Sequence, residues 1–116
     1  MDATSKQDFI RRVARQNQAD LVGSKILWSR HAITELANEG WSRGVAEAAL
    51  QTSEVSEDYL TAHRLLPDCL VLGWLETDEP LHAVIAIDEV TDRLFVVTVY
   101  EPSPEEWEDD WRTRKR

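Results

Sequence analysis

The segment WSRHAITELANEGW, residues 28–41, places His31 in the first turn of a predicted helix. Ser29 is a residue type preferred at a helix N-cap, which makes His31 the second helical residue. The positive end of the helix dipole disfavours a second positive charge there, so the imidazole would be neutral and able to accept a proton. Glu35, one turn later, could orient the ring. A histidine that only packs and hydrogen-bonds at a helix start fits the same pattern.

Further groups capable of acid–base chemistry without a metal occur later in the chain. Imidazole, phenol and guanidinium groups together suit cleavage of a phosphodiester. One group takes the 2′-OH proton, another protonates the leaving oxygen, and the guanidinium stabilises the charge on phosphorus. His82 lies near the start of the apolar run PLHAVIAID, so a buried role in the core is as plausible for it as a role in a site. The whole set is His31, His82, Thr98, Tyr100, Arg64, Arg112 and Arg114.

Motifs of metal and nucleotide sites are missing from the sequence. It has no H-E-x-x-H or C-x-x-C spacing, no glycine-rich phosphate loop and no G-x-S-x-G elbow. The single cysteine, Cys69, starts an apolar run and is expected to pack in the core. We therefore expect neither a metal nor a cofactor.

Charge and hydropathy restrict the class of protein. The net charge of −9 argues against a protein that coats nucleic acid non-specifically, although two basic ends flank the acidic middle. The first residues lack the apolar stretch of a signal peptide, and no apolar run is long enough for a membrane span. With a single thiol, these features favour a cytoplasmic protein without membrane contact.

Hydrophobic periodicity predicts helices first and strands later. An amphipathic first helix ends at Gly23 and Ser24, and residues 29–51 form two short helices joined at EGW. Strands are predicted at residues 69–76, 80–88 and 93–101, with an edge strand at best just before them. Short connections favour an antiparallel meander. Gly73, inside the first of these strands, indicates a bulge or a close approach.

The end of the chain has the pattern of a C-terminal helix. Ser103 is suited to the N-cap and Pro104 to the first helical position, and Trp107 and Trp111 would form one apolar stripe. The predicted fold is therefore α+β, with N-terminal helices, a small antiparallel sheet of three to four strands and a C-terminal helix. The first 24 residues are predicted as an N-terminal helical extension and residues 25–116 as a single domain.

Strand parity decides whether two of the candidates can meet. If the loop at residues 89–92 holds four residues, Asp88 pairs with Arg93 and His82 lies opposite Val99. His82 and Tyr100 would then point to opposite faces of the sheet. A loop one residue longer or shorter would put them on the same face, and the sequence leaves both arrangements open.

Three segments of the sequence, SRHA, PLHAVIAID and TVYEPSPEEWEDDWRTRK, resemble the family named domain of unknown function 4258. The resemblance covers roughly residues 26–115. It implies a small bacterial protein, often encoded beside a zinc-finger antitoxin-like partner and distantly similar to RelE/MqsR-type ribonuclease toxins, which need no metal. The positions that the resemblance marks are Ser29, His31, His82, Thr98, Tyr100, Trp107, Arg112 and Arg114.

The function expected from residues and resemblance together is a toxin-like, metal-independent endoribonuclease of a toxin–antitoxin type system with a RelE-like fold. Its partners would be RNA and either an antitoxin-like protein or a second copy. A non-catalytic protein-binding or regulatory module with the same fold is the alternative, and the acidic charge departs from the usual basic toxin. The predicted catalytic residues are His31, His82, Tyr100 and Arg112, and the predicted substrate-binding residues are Ser29, Arg30, Arg64, Thr98 and Arg114.

Overall fold

The computed structural model describes residues 1–19, 25–60 and 65–116, and within them the protein is α+β. None of the helices in these ranges has the length and apolarity that crossing a bilayer requires. The helices are α1 (Ala3–Ala19), α2 (Arg30–Glu39) and α3 (Arg43–Leu50). The strands are β1 (Ile26–Trp28), β2 (Glu54–Tyr59), β3 (Asp68–Trp74), β4 (Pro80–Asp88) and β5 (Arg93–Tyr100).

The described strands form one five-stranded mixed sheet in the order β1-β5-β4-β3-β2. Strands β2 to β5 make the predicted antiparallel meander, and β2 lies at one edge. The prediction of three to four antiparallel strands was wrong because β1, only three residues long, pairs with β5 in parallel. Three residues show too little alternation to identify a strand from its own sequence.

Local signals fixed the ends of α2 and α3 as predicted. Ser29 Oγ accepts the Ala32 N–H at 2.9 Å, and Ser42 Oγ accepts the Val45 N–H at 3.1 Å. Gly40 ends α2 with φ 74°, a left-handed conformation that glycine adopts without a Cβ clash. The predicted end of the first helix at residues 23–24 lies outside the described residues.

The two faces of the sheet have different coverings. One, here called the helix face, carries the main core, to which all three helices contribute buried side chains such as Ile10, Leu36 and Leu50. Cys69 is buried in this core, as predicted. On the opposite face, here called the strap face, Leu70 and Leu72 of β3 are also buried. The strap face is where the end of the chain packs.

The predicted C-terminal helix was wrong, because residues 101–116 form turns. These residues are here called the strap. Asp110 Oδ1 accepts the N–H groups of Arg112 and Thr113, a local turn that competes with helical hydrogen bonds. Trp111 adopts a left-handed φ of 62°, and Trp107 bridges to Arg114. Ser103 caps nothing with its side chain in this arrangement; its carbonyl closes a single turn with Trp107 N–H at 3.1 Å.

A β-bulge changes the register that loop counting predicts. Asp88 does pair with Arg93, as expected for a four-residue loop. The register then shifts between Val84 and Ile85, so His82 lies opposite Tyr100 instead of Val99. The bulge thus decides between the two arrangements that the sequence left open, and a four-residue loop alone does not separate the two side chains. Both lie on the strap face of the sheet.

Replacing Gly73 by alanine is expected to destabilise the protein by about 1–3 kcal/mol. A Cβ at this position would lie 3.0 Å from the Ala49 carbonyl oxygen and 3.3 Å from the Ala49 Cβ, so α3 would have to move away from β3. Gly44→Ala is the control, because nothing lies within 4 Å of that Cβ. In α3 it should stabilise by roughly 0.5 kcal/mol. Urea denaturation of both variants measures the difference, and equal effects would contradict the close approach.

Candidate functional site

The exposed part of the candidate site is a histidine–carboxylate pair on α2. His31 is the second residue of this helix, and its side chain is 69% exposed. Its Nε2 lies 3.1 Å from Glu35 Oε1, as the one-turn spacing predicted. With Nε2 turned toward the carboxylate, Nδ1 of the ring remains available to a ligand.

Glu35 is anchored to the sheet as well as to its own helix. Beyond the end of β1, α2 runs beside β5, and Glu35 Oε1 accepts the Val99 N–H at 3.1 Å. The same oxygen accepts the hydroxyl of Thr98. Ser29 supports the junction by donating its hydroxyl to the Val97 carbonyl at 2.8 Å. The carboxylate that orients His31 is therefore held between two elements of the fold, its own helix α2 and the strand β5.

The covered part of the candidate site is the pair of His82 and Tyr100. His82 is fully buried, and its Nε2 lies 2.6 Å from the Trp111 carbonyl oxygen. A carbonyl can only accept, so Nε2 carries the hydrogen and Nδ1 can accept from the Tyr100 hydroxyl at 3.4 Å. The edge of the His82 ring also meets the ring of Trp107, with 4.4 Å between centroids.

Burial sets the protonation states of this pair. It lowers the pKa of His82 and raises the pKa of Tyr100. Burial likewise raises the pKa of nearby Tyr59 to about 12. At neutral pH the imidazole is therefore uncharged and the phenol keeps its proton, so both can act as hydrogen-bonding groups without a buried charge.

The two C-terminal arginines lie on the strap and contact β2. Arg114 donates from Nε and Nη2 to the two carboxylate oxygens of Glu57, each at 3.0 Å. This hydrogen bonding lowers the pKa of Glu57. Arg112 makes a single contact, from Nη2 to Oε1 of Glu54, three residues earlier in the same edge strand. The guanidinium of Arg114 also lies 4.5 Å from the centre of the Trp107 ring.

The remaining predicted site residues are Arg30 and Arg64. Arg30 is exposed beside His31, and no carboxylate among the described residues pairs with it. Arg64 lies outside the described residues. Glu35 connects the parts, since it contacts His31 and also accepts the N–H of Val99, the neighbour of Tyr100 in β5. Within the described residues, no group of three or more His, Cys, Asp or Glu side chains could hold a metal ion.

Sequence reasoning missed two contributors to this arrangement, Glu54 and Glu57, which receive the two arginines. Trp107, which the resemblance marks, packs on His82 instead of lying on a helix. The signal of the two glutamates was weak. Acidic residues in an edge strand and basic residues in a tail match in charge, but many other pairings in a chain of this composition match equally well.

The free energy of unfolding should fall on mild acidification because of His82. Its pKa is lowered in the folded protein, whereas the unfolded chain takes up a proton near pH 6.5. Below about pH 6.5 the unfolded state therefore binds more protons, and stability decreases by at most about 1.4 kcal/mol per pH unit until the folded-state pKa is passed. Urea denaturation between pH 7.5 and 5 measures the slope. His82→Gln retains an N–H for the Trp111 carbonyl and should flatten it; an unchanged slope would contradict the assignment.

Comparison with known proteins gives one family match. The family model described as Domain of unknown function (DUF4258) matches residues 28–101. The matched range includes α2 and all residues of the His31–Glu35 and His82–Tyr100 pairs, and it excludes α1 and nearly all of the strap. No curated protein and no solved structure matches the chain.

Proposed function

This chain belongs to the DUF4258 family, and we propose that it is a metal-independent endoribonuclease of a toxin–antitoxin type system. The observation that carries the proposal is the shared carboxylate of Glu35, which contacts His31 on one side and the Thr98 hydroxyl and Val99 N–H on the other. An exposed imidazole oriented by a fixed carboxylate is a common arrangement for a general base.

In the proposed reaction, His31 Nδ1 takes the proton of a ribose 2′-OH. The 2′-oxygen forms a bond to the adjacent phosphorus, and the bond from phosphorus to the 5′-oxygen breaks. The Tyr100 hydroxyl gives its proton to that leaving oxygen, and the proton on His31 returns to the phenolate through solvent. The products are a 2′,3′-cyclic phosphate and a 5′-hydroxyl, so no water, metal or redox partner is consumed.

Remaining side chains have supporting roles in this proposal. His82 is a positioning residue, because its long 3.4 Å contact fixes the Tyr100 ring while leaving the hydroxyl hydrogen free to turn to substrate. Arg30, exposed next to His31, is suited to bind the phosphate. The resemblance to RelE/MqsR-type toxins supports the substrate class, and it adds an antitoxin-like neutralising protein as the expected partner.

The test is incubation of the purified protein, freed of any partner, with total RNA in EDTA. The proposal expects cleavage that yields 2′,3′-cyclic phosphate ends and leaves 2′-O-methyl RNA and DNA intact, because both lack the attacking 2′-OH. RNA that remains uncut both by the partner-free wild type and by a variant that lacks the ion pairs of Arg112 and Arg114 would reject the enzyme proposal. Cleavage of DNA would reject the mechanism.

A second candidate is a non-catalytic module that binds a protein. A groove of about 480 Å³ between the α2–α3 junction and the turn after β3 favours it. Trp41 and the exposed Val45 line this groove together with the carboxylates of Glu39, Glu76 and Glu79. Apolar and acidic groups in one groove suit a cationic segment of a partner. Intact RNA in the assay above would leave this as the better proposal.

A further inference from the structure

The strap covers the one buried imidazole of the candidate site. Trp107 is 1% exposed and stacks edge-on against His82, while the carbonyl of Trp111 accepts from His82 Nε2. The guanidinium of Arg114 lies over the Trp107 ring that covers His82, 4.5 Å from its centre. With the strap in this position, no substrate atom can reach His82, and Tyr100 is only partly accessible.

The ion pairs that attach the strap to β2 are of the kind that separates easily, whereas the Trp107 ring and the hydrogen bond to His82 are buried contacts. Among the described residues, the backbone–backbone hydrogen bonds of the strap join strap residues to one another, as in Glu108 N–H to Thr113 O at 2.8 Å. Its attachment to β2 consists of the Arg112–Glu54 and Arg114–Glu57 ion pairs, all of whose side chains are partly exposed. Exposed ion pairs are weak and are screened by salt.

The closed position also carries two costs. The indole N–H of Trp107 is buried without a hydrogen-bond acceptor in the described part of the chain. Trp111 holds a left-handed φ of 62°, which a residue with a Cβ adopts only when its surroundings impose it. The first cost disappears when the strap leaves the sheet, because the indole N–H can then bind water. All of the strap except residue 101 lies outside the residues that the family model matches.

We propose that the strap is a removable cover over the His82–Tyr100 pair, held closed by the ion pairs from Arg112 and Arg114 to β2. On the proposed function, which this inference extends, release of the cover exposes the phenol that protonates the leaving oxygen. The protein would then be restrained by its own C-terminal residues until the two ion pairs break.

Labelling with diethyl pyrocarbonate tests the cover directly, because this reagent acylates neutral accessible imidazoles. The extent of labelling at each histidine is read by mass spectrometry of the full-length protein. Exposed His31 serves as the internal reference. In the wild type, His82 should react far more slowly than His31. Glu54→Gln together with Glu57→Gln should raise the His82 rate about tenfold and leave the His31 rate unchanged.

Two controls keep the result specific. Asp92→Asn removes a carboxylate that pairs with Arg12 and Lys25, away from the strap, and should leave His82 protected. Arg114→Glu should open the cover, and adding Glu57→Arg should close it again by restoring an opposite-charge pair. This exchange also separates release of the strap from a general loss of folding, which the second substitution would not repair.

The cover would be overturned if His82 were labelled at the same rate in the wild type and in the double variant, and if about 1 M NaCl did not raise the rate in the wild type. RNA cleavage by the same samples is recorded separately. Faster labelling with faster cleavage supports both the cover and the proposed function. Faster labelling while RNA remains intact supports the cover and counts against the ribonuclease.

Discussion

Replacing His31 by alanine is expected to lower the rate of RNA cleavage by about 100-fold or more, the usual contribution of a general base. The ring lies on the surface of α2 and contacts Glu35, so its removal leaves no cavity in the core. Glu35 keeps its contacts with Thr98 and the Val99 N–H in the variant. The free energy of unfolding should therefore change by less than about 1 kcal/mol.

The measurement compares initial cleavage rates of wild type and His31→Ala in EDTA after equal melting curves have been verified. Thr34→Ala is the matched control, because Thr34 is an exposed residue of the same helix that only donates to the Arg30 carbonyl. It should cleave at the wild-type rate. If His31→Ala also cleaves at that rate, His31 is a structural residue of the helix start and the base lies elsewhere.

Local sequence signals predicted much of the fold. Ser29, Gly40 and Ser42 place helix ends because each acts through its nearest neighbours in the chain. The apolar run of β4 predicted its bounds, 80–88, correctly, and the meander followed from short connections. The fifth strand, β1, did not follow from local signals, since it forms only through its pairing with the edge of β5. The prediction of a helix at the strap was wrong for a related reason. The residues of the strap favour a helix locally, but the packing of Trp107 on His82 stabilises the turns more.

For the candidate site, the sequence indicated one contact between candidate residues and left the others open. The one-turn spacing of His31 and Glu35 brought those two together. Whether His82 meets Tyr100 depended on a bulge at the middle of β5, which no residue type there signals. The partners of Arg112 and Arg114 lie 58 and 57 residues away, so only the folded chain could identify them. Long-range pairings of this kind are set by tertiary packing.

Replacing Lys6 by methionine is expected to reduce the free energy of unfolding by about 3–5 kcal/mol, the cost of breaking a buried ion pair from one side. Lys6 is only 2% exposed, although it lies on α1 outside the family match. Its ammonium group donates to the carbonyls of Tyr59 at 3.2 Å and Asp68 at 2.9 Å, and it pairs with the carboxylate of Asp58. Methionine fills the volume but removes the charge that Asp58 faces.

Lys25→Met is the matched control for this loss, because Lys25 also pairs with an aspartate but is 23% exposed, against 3% for the side chain of Lys6. It should cost less than about 1 kcal/mol. Adding Asp58→Leu to Lys6→Met should recover part of the stability, since the second change removes the uncompensated charge. Urea denaturation of the four proteins at pH 7 gives the comparison. Equal losses of stability for the Lys6 and Lys25 variants would show that α1 is not anchored through its buried ammonium group. The expected difference would show that α1 is an integral part of the domain, although it lies outside the residues that the family model matches.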